Sequence, residues 1–441
     1  LRLFSGQVYS WFITLCFLGF VFFEYLRANH AFIFYPPTLF CVYMFFNIFI
    51  AGIAYFNFGL DVGTQFVVTD YYLLYGMWIT FLSVVVIWIS FNFFSDRPLK
   101  IPKGFGVVSI PSSVAITLLG ISVLISLVAI SQGAFGYTVD QSSVAFASLI
   151  NFSGKLSYIS IIILALYHFE QKRKLTYWAI GITVIFGIIS ASKTNVVYPM
   201  VVFIFARLVA GGKIRASWIF MFLSLIFIAY ALVEPFRIYY ELIGQYEEKS
   251  IYTLIMQFFA AANNEAVQAK VVEIDFLSKF INRLSYLTVL GKTIEFTSIN
   301  GLQNFNDFYH LAMSPLYGSI PRIIWEGKPL ANFGLWASEN IFNLRSITHT
   351  GITSQGYSYL VFGVPGVILF SCLYGSIHRF IFNTFFLNRG MTLVFLYFYL
   401  FVSFPAYPTW TATASLVQNL ILVSFTLFFI KVLSLKVRIF T

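Results

Sequence analysis

The chain has 441 residues, of which 59% are hydrophobic and only 10% charged, with a formal charge of +10. Soluble domains carry about a quarter of their residues as charges, so this composition excludes one and points to an integral membrane protein. Aromatic residues at 20% exclude a disordered or low-complexity chain, and in a membrane protein a basic excess is first a topology signal rather than a nucleic-acid footprint.

A hydrocarbon core of roughly 30 Å takes about 20 apolar residues in a helix. Apolar runs bounded by charges, proline or glycine predict about eleven transmembrane helices. They lie near residues 8–26, 37–57, 71–94, 110–132, 152–169, 176–191, 194–210, 217–235, 357–377, 391–405 and 413–434. The chain begins at Leu1, and a few preceding residues are expected. The first run has no small-residue cleavage site before Arg27 and reads as a retained helix. Cys16, Cys41 and Cys372 all sit in apolar runs and give neither a disulfide framework nor metal-type spacing.

Basic residues resist transfer across the bilayer, so their distribution sets orientation. Arg27, Arg97, Lys100, Lys103, Lys172, Arg173, Lys174, Arg207, Lys213, Arg215, Arg379, Arg389, Lys431, Lys436 and Arg438 all fall on one side by this count. The intervening loops are nearly free of Lys and Arg, with Lys155 and Lys193 as exceptions. The parity predicts a cytoplasmic C-terminus and an exterior N-terminus. The expected organisation is residues 1–235 with about eight spans, an extracytoplasmic loop over 236–356, and about three spans over 357–441.

That loop holds nine basic and ten acidic residues, so its net charge is about zero. Within it, 251–262 and 271–296 show helical apolar spacing, as in Val272, Phe276, Phe280 and Leu284, and predict amphipathic helices on the membrane face. Loops longer than about 12–15 residues in a compact protein are usually functional.

No Walker or Rossmann glycine pattern is present, and no His pair stands at metal-ligand spacing, so neither a metal nor another cofactor is expected. His30, His168 and His378 lie at predicted cytoplasmic helix ends, where a solvated interfacial setting is expected. His310 and His349 are the exterior candidates for acid–base work. Pro315, Pro321 and Pro329 flank Arg322, Trp325 and Lys328 and predict a rigid, non-helical path. Arg345 and His349 follow, with several hydroxyl residues before the next helix. A guanidinium fork suits phosphate oxygens and an ammonium offers a point charge, so the cluster suggests an anionic amphiphile at the exterior interface. Each single cation has the alternative of a lipid-phosphate contact, and Trp325 and Trp336 that of the interfacial belt. Lys193 lies at membrane level beside Ser192 and Asn195, and Arg237 is a further exterior cation.

At these residues a resemblance emerges. The stretches IPRIIWEGKP (320–329), TGITSQGYSYLVFGVPG (350–366) and SASKTN (190–195) resemble the Wzy-type O-antigen polymerases. LFSGQVYSWF (3–12) and FNFGLDVG (56–63) are most similar to the branch that polymerises enterobacterial common antigen. Lys193 stands where the family commonly has Arg, and Glu326 where Pro or Asp is frequent. The resemblance implies an all-α, polytopic, GT-C-like glycosyltransferase of the bacterial inner membrane, active at the periplasmic face. It would need neither metal nor cofactor, and its substrates would be undecaprenyl-pyrophosphate-linked oligosaccharides. A chain-length-determining co-polymerase is an implied partner besides membrane lipids, and nucleic acid is not. His349 is the implied base, with Glu339 second, and Arg322 and Arg345 act with it. Lys193, Arg237, Lys328, Asn195, Trp325 and Tyr357 are the implied pyrophosphate and substrate contacts. An O-antigen ligase-like transferase is the related alternative, and a flippase or transporter of lipid-linked sugars the one from another class.

Overall fold

The computed structural model describes residues 2–28, 33–59, 67–93, 110–131, 147–190, 192–243, 260–261, 263–272, 286–305, 307–320, 324–325, 333–343, 352–387, 392–401 and 409–439. Among them every regular element is helical. In chain order these are α1 (Arg2–Ala28), α2 (Pro36–Phe58), α3 (Asp70–Phe93), α4 (Ser112–Ser131), α5 (Ala147–Ile163), α6 (Phe169–Ile189), α7 (Lys193–Val209) and α8 (Ala216–Ile243). The series continues with α9 (Glu265–Val272), α10 (Leu287–Asn300), α11 (Asp307–Ser319), α12 (Phe333–Asn340), α13 (Ser354–Ile381), α14 (Thr392–Phe401) and α15 (Thr409–Ile439). Lipid offers no partner to a bare N–H or C=O, so a chain this apolar satisfies its backbone within helices.

Each of the eleven apolar runs falls on one of these helices. Six segments are long and apolar enough to cross a membrane: Gly6–Arg27, Pro36–Phe58, Asp70–Phe93, Ser112–Ile130, Ala216–Val233 and Ser354–Phe386. The chain is therefore an all-α, multi-pass membrane protein. Among the described residues, that criterion does not extend to the eleven crossings expected.

The chain packs as two compact units, one of residues 1–104 and 275–423, the other of 105–274 and 424–441. In the first unit α3 lies along α13, and both pack against α10. Met44 and Phe49 of α2, Met77 and Trp88 of α3, Leu290 of α10 and Val367 of α13 belong to one buried core. Lipid tails are as apolar as these side chains, so the helices are held by close packing and hydrogen bonds rather than by expulsion of water. At Gly375 a Cβ would collide with the Ser90 hydroxyl and the Ile87 carbonyl, so only glycine lets α13 approach α3 there. Nearby, the buried hydroxyls of Ser83 and Ser371 are hydrogen-bonded at 2.8 Å.

In the second unit α5 passes through a π segment, Leu164–His168, into α6, and α7 packs against both helices. The π turn opens the i→i−4 ladder. Arg207 of α7 uses it: Nη1 donates to the Ala165 carbonyl at 3.1 Å and Nη2 to Glu170 Oε1 at 2.8 Å, with the guanidinium 4.4 Å from the Phe169 ring centroid. A residue expected only to mark a cytoplasmic loop is a clamp on three elements.

Four further expectations are corrected. Proline at 315 does not break the chain, because Pro315 lies inside α11. Helix α8 runs through Pro235 to Ile243 rather than ending at Glu234. Helix α10 is not a surface amphipath: Leu287, Leu290 and Ile294 are core residues, and Lys292 pairs with Glu295 at 2.7 Å rather than facing bulk water. His378 is 2% exposed against Tyr374, because the π segment Phe382–Phe386 carries the chain on past the expected helix end. Residues 251–259 and 273–285, where the amphipathic reading also fell, lie outside the described residues.

Gly375→Leu forces α13 off α3 and is expected to cost about 1–3 kcal/mol. Ser83→Ala removes only a side-chain hydrogen bond, about 0.6 kcal/mol between membrane helices. Thermal unfolding of the detergent-solubilised protein, followed by size-exclusion chromatography, should rank Gly375→Leu well below Ser83→Ala.

Candidate functional site

Helix α13 opens with a side-chain cap. Thr353 Oγ1 accepts the Gly356 N–H at 3.0 Å, which fixes where TSQG turns into helix. Two turns on, Gly363 takes φ 64°, outside the helical range, and Pro365 brings no N–H. The carbonyl of Leu360, three residues before that kink, accepts the backbone N–H of Gln303 at 2.9 Å. The kink thus pins the segment after α10 onto α13.

That pinning assembles an aromatic cluster. Phe305 meets Trp336 of α12 edge-on at 4.7 Å and lies parallel to Tyr357 at 6.3 Å, and Phe296 of α10 approaches Trp336 at 6.1 Å. Tyr317 of α11 faces Trp325 at 5.6 Å and belongs to the same apolar cluster as Tyr357, Ala337 and Ile352. His310, seven residues before Tyr317 on α11 and so on the same helix face, places Nδ1 3.0 Å from the Tyr317 hydroxyl. Burial, and then the neighbouring Tyr309, push the Tyr317 hydroxyl above the usual tyrosine range, so it stays protonated through neutral pH. With Nδ1–H donating to Tyr317, Nε2 of His310 carries the lone pair and is a hydrogen-bond acceptor. With the other tautomer Nε2–H is a donor.

The expected site residues fall in different places. Tyr357 is 1% exposed and packs in the wall of the cluster. Trp325 is half-buried beside Tyr317. Glu339 is exposed on α12. Arg322, Lys328, Arg345 and His349 lie outside the described residues. Arg237 is placed on α8 by its backbone, and its side chain lies outside the description.

Lys193 and Asn195 lie in the second unit, in the first turn of α7. Ser192 caps that turn by accepting the Asn195 N–H at 3.3 Å. The preceding helix end is tight: the Ser192 N–H donates to the Gly187 carbonyl at 3.1 Å, and a Cβ on Gly187 would strike the backbone of Asn195 and Val196. Lys193 is half-buried, and Thr194 and Asn195 are exposed.

A second aromatic row was not anticipated. Tyr71 and Tyr75 of α3 stack at 6.1 Å, Tyr75 meets Tyr359 at 5.9 Å, and the Tyr72 and Ser298 hydroxyls are 2.7 Å apart. Its signal was legible as Tyr71, Tyr72 and Tyr75 at helical spacing beside Asp70. The His310–Tyr317 pair was equally legible as a two-turn repeat, but the three prolines drew the segment toward a non-helical reading.

Among the described residues no group of three His, Cys, Asp or Glu side chains is arranged to hold a metal ion. Compared with protein-family models, curated proteins and solved structures, the chain gives no match.

Trp336→Ala empties the centre of the cluster and is expected to cost about 3–5 kcal/mol. Tyr317→Phe keeps the ring and loses the bond to His310, about 0.5–1.5 kcal/mol. Thermal unfolding of the two variants side by side checks the order.

Proposed function

We propose that the chain is a membrane glycosyltransferase that polymerises oligosaccharide repeat units carried on undecaprenyl pyrophosphate, acting at the periplasmic face of the bacterial inner membrane. One observation carries the reading most: in sequence, the run from His310 to Gly356 carries Arg322, Lys328, Arg345 and His349 between residues of one aromatic cluster, Tyr317, Trp325 and Trp336, and the capped start of α13. The charge parity assigns this run to the exterior. Its motifs are those that resemble the Wzy-type polymerases.

The chemistry required matches those residue types. A hydroxyl at the non-reducing end of the incoming repeat unit attacks the anomeric carbon of the growing chain. The new carbon–oxygen bond forms as the anomeric carbon–phosphate bond breaks. The bonding pair leaves on the lipid diphosphate, and the hydroxyl proton passes to His349. Arg322 and Arg345, aided by Lys328, neutralise the charge that develops on the leaving diphosphate, and Lys193, Asn195 and Arg237 of the second unit bind diphosphate by the same chemistry. Trp325, at the aromatic cluster, offers an apolar ring face against which a sugar packs. Energy comes from the bond between the anomeric carbon and the diphosphate oxygen, so ATP is not required, and the cations named here take the part a metal ion would play at the leaving group.

Purified protein supplied with lipid-linked repeat units is expected to build a ladder of products without ATP and with excess chelator present. His349→Ala and Arg322→Ala should each insert and fold as the wild type does, yet lose at least a hundredfold of chain growth. Transfer to a lipid A core in place of repeat units would assign the ligase-like activity. Movement of lipid-linked sugar without bond formation would sink the transferase reading.

A further inference from the structure

Lys155 is a cation that the mechanism above does not use. Besides Arg2 and the cations of the long exterior loop, it and Lys193 are the exceptions to the charge parity, and both fall toward the end of the bundle assigned to the exterior. Lys155 sits on α5, where Leu156, Ile159 and Ile161 are buried, and it is itself half-buried. A lysine within an apolar membrane helix is costly and marks function by default.

The structure ties that stretch of α5 to the first turn of α7. The two helices pack together, and the Tyr158 hydroxyl donates to Asn195 Oδ1 at 3.4 Å. The Tyr158 ring also meets Tyr198 edge-on at 5.3 Å, which fixes the hydroxyl's position. Lys155 stands one turn before Tyr158 and so shares its side of α5, and helical side chains lean toward the helix N-terminus. The α5 and α7 N-termini lie toward the same end by parity, so the lean carries Lys155 toward Lys193 and Asn195. Beside Lys155, a Cβ on Gly154 would meet nothing within 4 Å among the described residues. Asn195, accepting through Oδ1, turns its two Nδ2 hydrogens away from Tyr158 as donors.

We infer that Lys155 and Lys193 together form a two-ammonium cradle for a diphosphate, with Tyr158 orienting Asn195 as a neutral donor between α5 and α7. The inference rests on the assignment of Lys193 to diphosphate binding in the proposed transferase and names the second cation of that site. A diphosphate spreads its charge over two phosphate groups, and one half-buried ammonium compensates only part of it. Two ammoniums from adjacent helices distinguish a diphosphate from a phosphodiester, whose single charge needs one partner. Tyr158 is a positioning residue and Lys155 a ligand contact.

The test is binding to the full chain in nanodiscs, read by native mass spectrometry and by competition with a radiolabelled lipid. The probes are undecaprenyl diphosphate, undecaprenyl monophosphate, inorganic pyrophosphate and phosphatidylglycerol. The wild type should prefer undecaprenyl diphosphate over the monophosphate by at least tenfold. Lys155→Met should erase that preference while leaving thermal unfolding no lower than in the wild type, since it places an apolar residue in an apolar helix. Lys155→Arg should keep the preference within threefold, and Tyr158→Phe should weaken diphosphate binding by a few fold. Inorganic pyrophosphate competing as well as the lipid would support the cradle and assign it to free diphosphate. Unchanged diphosphate preference in Lys155→Met, or phosphatidylglycerol binding as tightly as the diphosphate, would overturn the inference. Chain growth by the wild type, assayed separately, keeps the two proposals apart: polymerisation with an unaffected Lys155→Met overturns the cradle alone, and a lost diphosphate preference in a chain that does not polymerise leaves the cradle standing.

Discussion

Two apolar helices surrounded by lipid gain little from burying their side chains against each other, because the tails they leave behind are equally apolar. Contact between α3 and α13 must therefore come from geometry, and the sequence supplies it through Gly375 against the Ile87 carbonyl and the Ser83–Ser371 hydroxyl pair. Much else in the first unit follows from that close approach. Helix α10 packs on both partners and inserts Leu290 and Ile294 into their core. With α10 fixed, the short segment after it lands on the kinked part of α13, and the aromatic cluster is built outward from there.

Breaks in helical backbone in this protein are met by nearby donors. Beside the kink at Gly363 the Leu360 carbonyl accepts the backbone N–H of Gln303. In the second unit the π turn exposes the Ala165 carbonyl to Arg207, which also reaches Glu170. An unpartnered carbonyl in an apolar interior costs far more than a hydrogen bond normally returns, so each irregularity in such a bundle needs a nearby donor. Those irregularities place connecting segments and basic residues where a regular helix would not.

Helix positions were readable because the bilayer imposes a length and a composition that short-range sequence cannot disguise. Each of the eleven apolar runs coincides with a helix, including the pair around Ser192. Less legible were features that depend on what a helix packs against. Val289 and Leu290 look like one side of an amphipath in sequence, and only the partner helices α3 and α13 turn that side into core. The burial of Tyr357 in the cluster wall likewise depends on its packing partners and has no local signal. Prolines misled in the opposite sense, because Pro315 and Pro235 sit within helices, where tertiary packing outweighs their local penalty. The Tyr158–Asn195 hydrogen bond joins residues 37 apart in sequence and has no local signal at all.

The three π segments among the described residues, Phe45–Ile50, Leu164–His168 and Phe382–Phe386, share one geometric property. Each amounts to one residue more than an α-helix would use over the same rise. In a regular helix an added residue turns everything after it by about 100°. A helix that takes up the added residue as a π turn keeps the residues after it facing the same neighbours, with its fit to the bilayer unchanged. Sequence comparison in such proteins should accordingly treat one-residue gaps inside a helix as gained or lost π turns rather than as alignment noise.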